Sequence, residues 1–384
     1  MKLQRSSGVV LHPTSLPGGT LGADAHGFVD WLAAAGQSWW QVLPLGPPDH
    51  AGSPYAAGSA FAAWPGFLDR PEAPVSKREI AAYRRTNAFW IDDWEAAGGD
   101  VPDQVRFDRE WAALRAYAAE HGIRMIGDVP MYVAQDSVDH HAHPELFLSG
   151  LVAGAPPDDL GPEGQHWGNP LFDWEAAARE GYRWWIERLR RTLALFDLAR
   201  IDHFRGFAEF WAIPEGEPNA SSGRWLRGPG AAVFEAAAAE LGELPVIAED
   251  LGLITEDVHE LRDRLGFPGM AVLLWAFQGP EDNPHRLENH RERQVVYTTT
   301  HDTDTLAGNF PDREPWELIE LALSSRADLA MVPLQDILGL GSEARMNTPG
   351  APSGNWGWRL EPGQLTEGDA SRLHAATARS ARLG

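Results

Sequence analysis

Eight short runs of apolar and β-branched residues, separated by longer stretches of helical periodicity, constrain this chain more than any other feature of it. The runs cover residues 8–12, 38–46, 124–130, 198–204, 244–250, 270–277, 295–302 and 329–338. Helical patterns follow most of them, at 28–35, 107–121, 180–195, 231–241, 255–265, 315–324 and 371–383. Strands joined through helices pair in parallel, and eight such units predict an α/β fold, a TIM (β/α)8 barrel, rather than an open doubly wound sheet. There is no repeat of fixed period to suggest a solenoid or a propeller.

The spacing between runs is uneven. The gaps between the second and third strands, and between the third and fourth, are too long for simple connections. They predict insertions that form reduced subdomains over one barrel face. Residues 69–106 mix proline, charge and tryptophan and read as a small inserted helical piece. Residues 131–180 read as an inserted active-site loop region, with 149–167 rich in glycine and proline. A second loop is expected over 214–229, after the fourth strand. The whole of 1–384 is expected to be a single catalytic barrel domain.

Composition narrows the partners. Acidic residues outnumber basic ones by 55 to 32, for a formal charge of −23. Nucleic acid and anionic membrane surfaces are therefore unfavourable partners. With no cysteine, disulfides and thiol chemistry are excluded. The first residues carry no apolar signal core, and no apolar run reaches the 18 residues of a membrane span, so a cytoplasmic protein is expected. Seventeen tryptophans are unusual for this length; some belong to an ordinary core, and an excess also suits the gripping of flat sugar faces.

Catalytic groups of a TIM barrel sit at the C-terminal ends of its strands. Those positions hold Asp128, Asp202, Glu249, Asp302 and Asp336. A carboxylate there is costly unless paired or used, and neighbours ~5 Å apart repel by about 3 kcal/mol at an effective dielectric of ~20. In the fourth strand the period of two places Leu198, Arg200 and Asp202 inside the barrel, with Ala199 and Ile201 toward the helices. Arg200 beside Asp202 supplies the positive charge that a carboxylate nucleophile requires, although the same two residues also suit a purely structural pair. Neighbouring anions are expected to raise Glu249 to a pKa of about 6–7, fit for a general acid. Once a sugar esterifies Asp202, one of those charges is gone and Glu249 can act as base; this is the logic of a retaining double displacement. His301 and Asp302 close the seventh strand and suit hydrogen bonds to sugar hydroxyls. Tyr55, just past the second strand, suits stacking on a sugar ring or plain packing.

Specific stretches then carry a resemblance. They are Gly8-Val9-Val10-Leu11-His12-Pro13-Thr14-Ser15-Leu16-Pro17, Gln41-Val42-Leu43-Pro44-Leu45-Gly46-Pro47, Gly127-Asp128-Val129-Pro130 and Gln165-His166-Trp167-Gly168-Asn169-Pro170. Further on stand Arg200-Ile201-Asp202-His203-Phe204-Arg205-Gly206, Ala248-Glu249-Asp250-Leu251-Gly252, Thr300-His301-Asp302, Gly341-Ser342-Glu343-Ala344-Arg345-Met346-Asn347 and Pro352-Ser353-Gly354-Asn355-Trp356. In this order the chain resembles the amylomaltases, the 4-α-glucanotransferases of glycoside hydrolase family 77. The resemblance implies Asp202 as nucleophile, Glu249 as acid/base and Asp302 as transition-state stabiliser. It implies that Tyr55, Asp128, Arg200 and His301 surround the donor sugar, that Trp167 stacks on the acceptor side and that Asn355 lies on a substrate-contacting loop. The implied partners are maltooligosaccharides or other α-1,4-glucans, with no cofactor and no metal. Two departures stand out: Thr303 occupies the place of the family's usual asparagine after His-Asp, and the chain is much shorter than a typical member.

Three other readings compete. An α-glucan hydrolase would use the same carboxylates; transfer requires that a millimolar acceptor beat ~55 M water, a preference of about 5–6 kcal/mol. A non-catalytic glucan-binding relative would keep the residues but not the geometry. A metal-dependent barrel hydrolase would draw on His141-Ala142-His143 together with His12, His203 and His301 at strand ends.

Overall fold

A computed structural model describes residues 3–157, 162–351 and 353–384. Residues 158–161 of the expected loop and Pro352 of the C-terminal motif lie outside the described residues, as do Met1 and Lys2. The strands in chain order are β1 (Ser6–Val10), β2 (Trp39–Gln41), β3 (Arg124–Val129), β4 (Phe147–Ala155), β5 (Gln165–Phe172) and β6 (Leu198–Ile201). They continue with β7 (Glu209–Pro214), β8 (Arg224–Arg227), β9 (Val246–Ala248), β10 (Gly269–Val272), β11 (Gln294–Tyr297) and β12 (Leu329–Pro333). Eight of these form one sheet in the order β10-β11-β12-β1-β2-β3-β6-β9, and every adjacent pair is parallel. This is the expected TIM-type barrel.

The ring closes between β9 and β10 by unusual means. Ala248 N–H donates to Pro268 O at 2.9 Å, and the carboxylate of Asp250 accepts the N–H of Met270 at 2.7 Å. Arg262 holds the other oxygen of Asp250. Residue 269 must be glycine here, since a Cβ would stand 2.5 Å from Asp250 Oδ2.

Inside the ring Trp39, Ile126, Leu198, Ile247, Met270, Val295, Tyr297, Leu329 and Met331 pack on one another. Ala199 and Ile201 of β6 belong instead to the core under the helices, so the alternation in that strand is as expected. The outer layer includes helices Ala23–Ala34, Val101–Glu120, Arg183–Leu195, Ala232–Leu241, Glu256–Leu265, Pro315–Ser324 and Glu367–Arg379. The last begins four residues before the expected start. Thr366 and Asp369 form a capping box there, in which Asp replaces the more familiar Glu or Gln at the third position. Among the described residues no helix is long and apolar enough to cross a membrane.

Strand boundaries are shorter than hydrophobicity suggested. After Gln41 the chain stays extended, and Val42 still donates to Ile126 O at 2.9 Å. Pro44 then has no N–H to continue the ladder. The largest difference lies in the regions expected as loops at 149–167 and 214–229. Strands β4, β5, β7 and β8 make a four-stranded antiparallel sheet there, ordered β5-β4-β7-β8. Gly154 and Pro170 read as loop residues, but Gly154 sits on β4 at a register shift against β5, where a Cβ would stand 2.2 Å from Gln165 O, and Pro170 sits on the edge strand β5, where a missing N–H is tolerated. Residues 69–106 contain helices Lys77–Thr86 and Ile91–Ala96 and the start of Val101–Glu120.

Near the C-terminus, Arg382 is fully buried and donates to Leu323 O, Ser6 O, Asp328 O, Ser325 O and Ala327 O, joining β1 to the entry of β12. Replacing it with alanine leaves several buried carbonyls unmet. We expect Arg382→Ala to lower unfolding stability by at least about 3 kcal/mol in denaturant titration, with Arg382→Lys recovering only part because its three donors cannot reach five carbonyls.

Candidate active site

The mouth is organised around Arg200. Its inward position on β6 follows from the strand period, and β3 places Asp128 directly opposite in register. Arg200 Nη1 donates to both oxygens of Asp128, at 2.9 and 2.7 Å, while Nη2 donates to Asp202 Oδ1 at 2.7 Å. The Asp128 side chain is fully covered, but that of Asp202 is 28% exposed toward the mouth. Burial raises the pKa of Asp128 and Arg200 opposes it. Among the described residues, Asp202 Oδ2 makes no hydrogen bond, so this oxygen of the part-exposed carboxylate has no protein partner.

Glu249 follows β9, the neighbour of β6, and is buried. Its Oε2 accepts the N–H of His203 at 2.6 Å and its Oε1 accepts the N–H of Leu251 at 3.0 Å. Those two bonds fix the carboxyl plane and leave a lone-pair direction on each oxygen for a proton. The pKa of Glu249 is raised to about 8. Burial is the largest cause and the charge of Asp202 adds to it, while Arg200 and the His203 N–H pull down. The expected direction was right, but its main cause is desolvation rather than repulsion between anions.

The third cluster hangs from β11. Tyr55 donates from its hydroxyl to Asp128 Oδ2 at 2.7 Å, and its ring stacks on His301 with centroids 4.8 Å apart. His301 Nε2 stands 3.2 Å from Asp302 Oδ2, and Asn347 Nδ2 donates to Asp302 Oδ1 at 2.6 Å. Although desolvation pulls upward, His301 and Asn347 hold the Asp302 carboxyl well below the usual carboxylate range. Desolvation likewise works to lower His301, but its neighbour Asp302 prevails and raises it. Thr303 fits this turn without strain: its Oγ1 accepts the N–H of Thr300 at 3.0 Å and donates to Thr300 O.

Trp167 on β5 is 37% exposed and stands perpendicular to the ring of His203, with centroids 4.8 Å apart. Asn355 is turned to its own loop, where Oδ1 accepts the N–H of Thr348 at 2.9 Å and Nδ2 donates to Ala351 O at 3.1 Å. The neighbouring Trp356, at φ 63°, reaches the mouth instead, with its ring 5.8 Å from Tyr55 and 6.0 Å from His301. Asn347 and Trp356 stood inside quoted motifs, but no local signal tied them to Asp302 or Tyr55.

Asp336 does not join the mouth. β12 ends at Pro333 and the chain turns into helix Leu334–Ile337, so Asp336 is not at a strand end. It is fully buried and accepts from Thr298 Oγ1, Thr299 Oγ1 and Leu306 N. The His141 and His143 pattern is also spent locally: His141 Nδ1 bonds Ser137 O at 2.9 Å, while His143 lies near Asp93 and Glu145. Among the described residues no group of three His, Cys, Asp or Glu is arranged to hold a metal ion. We expect Asp336→Asn to keep kcat/KM within about threefold and Asp128→Asn to lower it at least 100-fold, because only the second removes one of the two carboxylates that balance the buried Arg200 and frees Tyr55 from its acceptor. Steady-state rates on a maltooligosaccharide series check both.

Comparison with known proteins fits this geometry. A family model described as 4-alpha-glucanotransferase matches residues 11–96 and 101–366. The chain is 39% identical to the 4-alpha-glucanotransferase of Thermus thermophilus, covering all of both chains. That alignment runs over 500 residues, so this relative carries segments that the 384-residue chain lacks. The 4-alpha-glucanotransferase of Synechocystis is 38% identical over 95% of each chain. A solved amylomaltase from Streptococcus agalactiae, in complex with acarbose, superposes with a TM-score of 0.93 at 27% identity, over 99% of this chain and 100% of that one.

Proposed function

From the premise that the chain belongs to glycoside hydrolase family 77, the 4-α-glucanotransferases, we propose that it moves α-1,4-glucan segments from donor to acceptor maltooligosaccharides by double displacement. The observation that carries the reading is Arg200 bound between Asp128 and Asp202 beside a Glu249 that favours its protonated form.

In the first step Asp202 Oδ2 attacks the anomeric carbon of the donor. The bond to the glycosidic oxygen breaks, and Glu249 gives its proton to that oxygen as the shortened glucan leaves. Asp302 faces the reacting ring, where hydrogen bonds to sugar hydroxyls strengthen as positive charge develops. Arg200 balances the charge on Asp202 before attack and, through Asp128, fixes Tyr55 beside the ring. In the second step the acceptor's 4-hydroxyl gives its proton to Glu249 and attacks the same carbon, and Asp202 is released. Two inversions give net retention. The ester on Asp202 carries no charge, so the repulsive part of the Glu249 shift vanishes and the carboxylate left by the first step stays ionised, ready to take the acceptor's proton; desolvation remains.

Two results are expected. First, kcat/KM falls tenfold per pH unit above about 8, because the acid form of Glu249 is needed and its pKa is raised to about 8. Glu249→Gln removes that limb and lowers turnover of maltooligosaccharides ~10³-fold or more. Second, a fluorinated glucosyl donor leaves an adduct that maps to Asp202, and maltotriose yields glucose plus longer oligosaccharides. An adduct on another residue, or glucose and maltose as sole products, would sink the proposal.

A further inference from the structure

We infer that His203 is a positioning residue that ties the acceptor-side indole of Trp167 to the acid/base Glu249. The inference rests on the acceptor role proposed for Trp167. His203 follows Asp202 and adopts the left-handed conformation, φ 50° and ψ 48°, which is uncommon for a residue other than glycine. That turn aims its backbone N–H at Glu249 Oε2, 2.6 Å away, while the next N–H, of Phe204, meets Glu249 O at 3.0 Å.

The side chain points the other way. Its ring meets Trp167 at 89°, with centroids 4.8 Å apart, and Tyr132 completes a triangle at 6.0 Å from His203 and 6.2 Å from Trp167. The indole N–H is bound to Gln165 on its own edge strand, so its tethers to the barrel are ring contacts, of which that with His203 is the nearer. His203 Nε2 and Tyr132 Oη are buried and, among the described residues, have no hydrogen-bond partner, so packing of ring on ring rather than a polar bond sets the geometry. Burial lowers His203 to a pKa of about 4, so the ring stays neutral against the indole at working pH. One residue thus grips the proton-transfer group with its backbone and the acceptor platform with its ring. A sugar seated on the indole is thereby registered against Glu249, the group that must take its hydroxyl proton.

A double-mutant cycle tests this. His203→Asn keeps the left-handed turn and the N–H to Glu249 but removes the ring. In the wild-type background it should raise the acceptor KM about tenfold, the size of one aromatic contact, and lower the transfer-to-hydrolysis product ratio similarly. Its kcat at saturating acceptor should fall less, about threefold, and the high-pH limb should stay in place. In a Trp167→Ala background the same substitution should change the acceptor KM less than twofold, since its target is gone. His203→Gly, at the φ glycine adopts most freely, gives the same pattern from a second backbone-compatible variant. An unchanged acceptor KM in both His203 variants overturns the inference, as does a full tenfold effect that persists without Trp167. If Trp167→Ala alone leaves the acceptor KM unmoved, the acceptor role proposed for Trp167 fails first, and the inference with it.

Discussion

The guanidinium of Arg200 lies inside the barrel between Asp128 and Asp202, and the charge arrangement of the whole mouth depends on it. A cation buried in a low-dielectric interior is tolerable only when its donors are met. Here two carboxylates meet them, and a third acid, Glu249, is close enough to feel both signs. Tyr55 and His301 are drawn in through Asp128, so the aromatic wall of the mouth is set by the same cation. Removing the arginine would therefore disturb the proposed nucleophile, the wall and the proposed proton donor together.

Environment rather than residue type divides the labour among the acids. Asp302 is held charged by His301 and Asn347, whereas Glu249, buried and given only two backbone donors, is pushed toward its neutral form. Asp336 is buried on two threonine hydroxyls and an N–H, and Asp250 closes the barrel seam. Carboxyls whose proton affinities are pushed apart are what acid–base chemistry at neutral pH requires.

How much of this was legible differed from one interaction to the next. The alternation Leu198, Arg200, Asp202 was readable because a strand's period of two assigns faces without tertiary knowledge. The inserted sheet was not, since Gly154 and Pro170 signal loop locally and only pairing with distant β4 and β5 partners overrides that signal. Asp336 misled because an apolar run running on past Pro333 looks alike whether it stays extended or turns helical. The bond from Asn347 to Asp302 spans 45 positions, and the contact of Trp356 with Tyr55 spans far more, so no local pattern announces either. Chemistry carried by neighbours in sequence was visible, whereas chemistry assembled across the ring was not.

The seam between β9 and β10 has a consequence for durability. Everywhere else the ring is laced by runs of backbone bonds, but here one backbone bond and one carboxylate do that work. Partial openings of a protein follow its least protected junctions, and they precede global melting. The residue beside Asp250 is Glu249, so an opening of this seam on warming would reach the proposed proton donor directly. Catalytic lifetime at high temperature is then expected to follow this local gap in the wall rather than the lifetime of the fold.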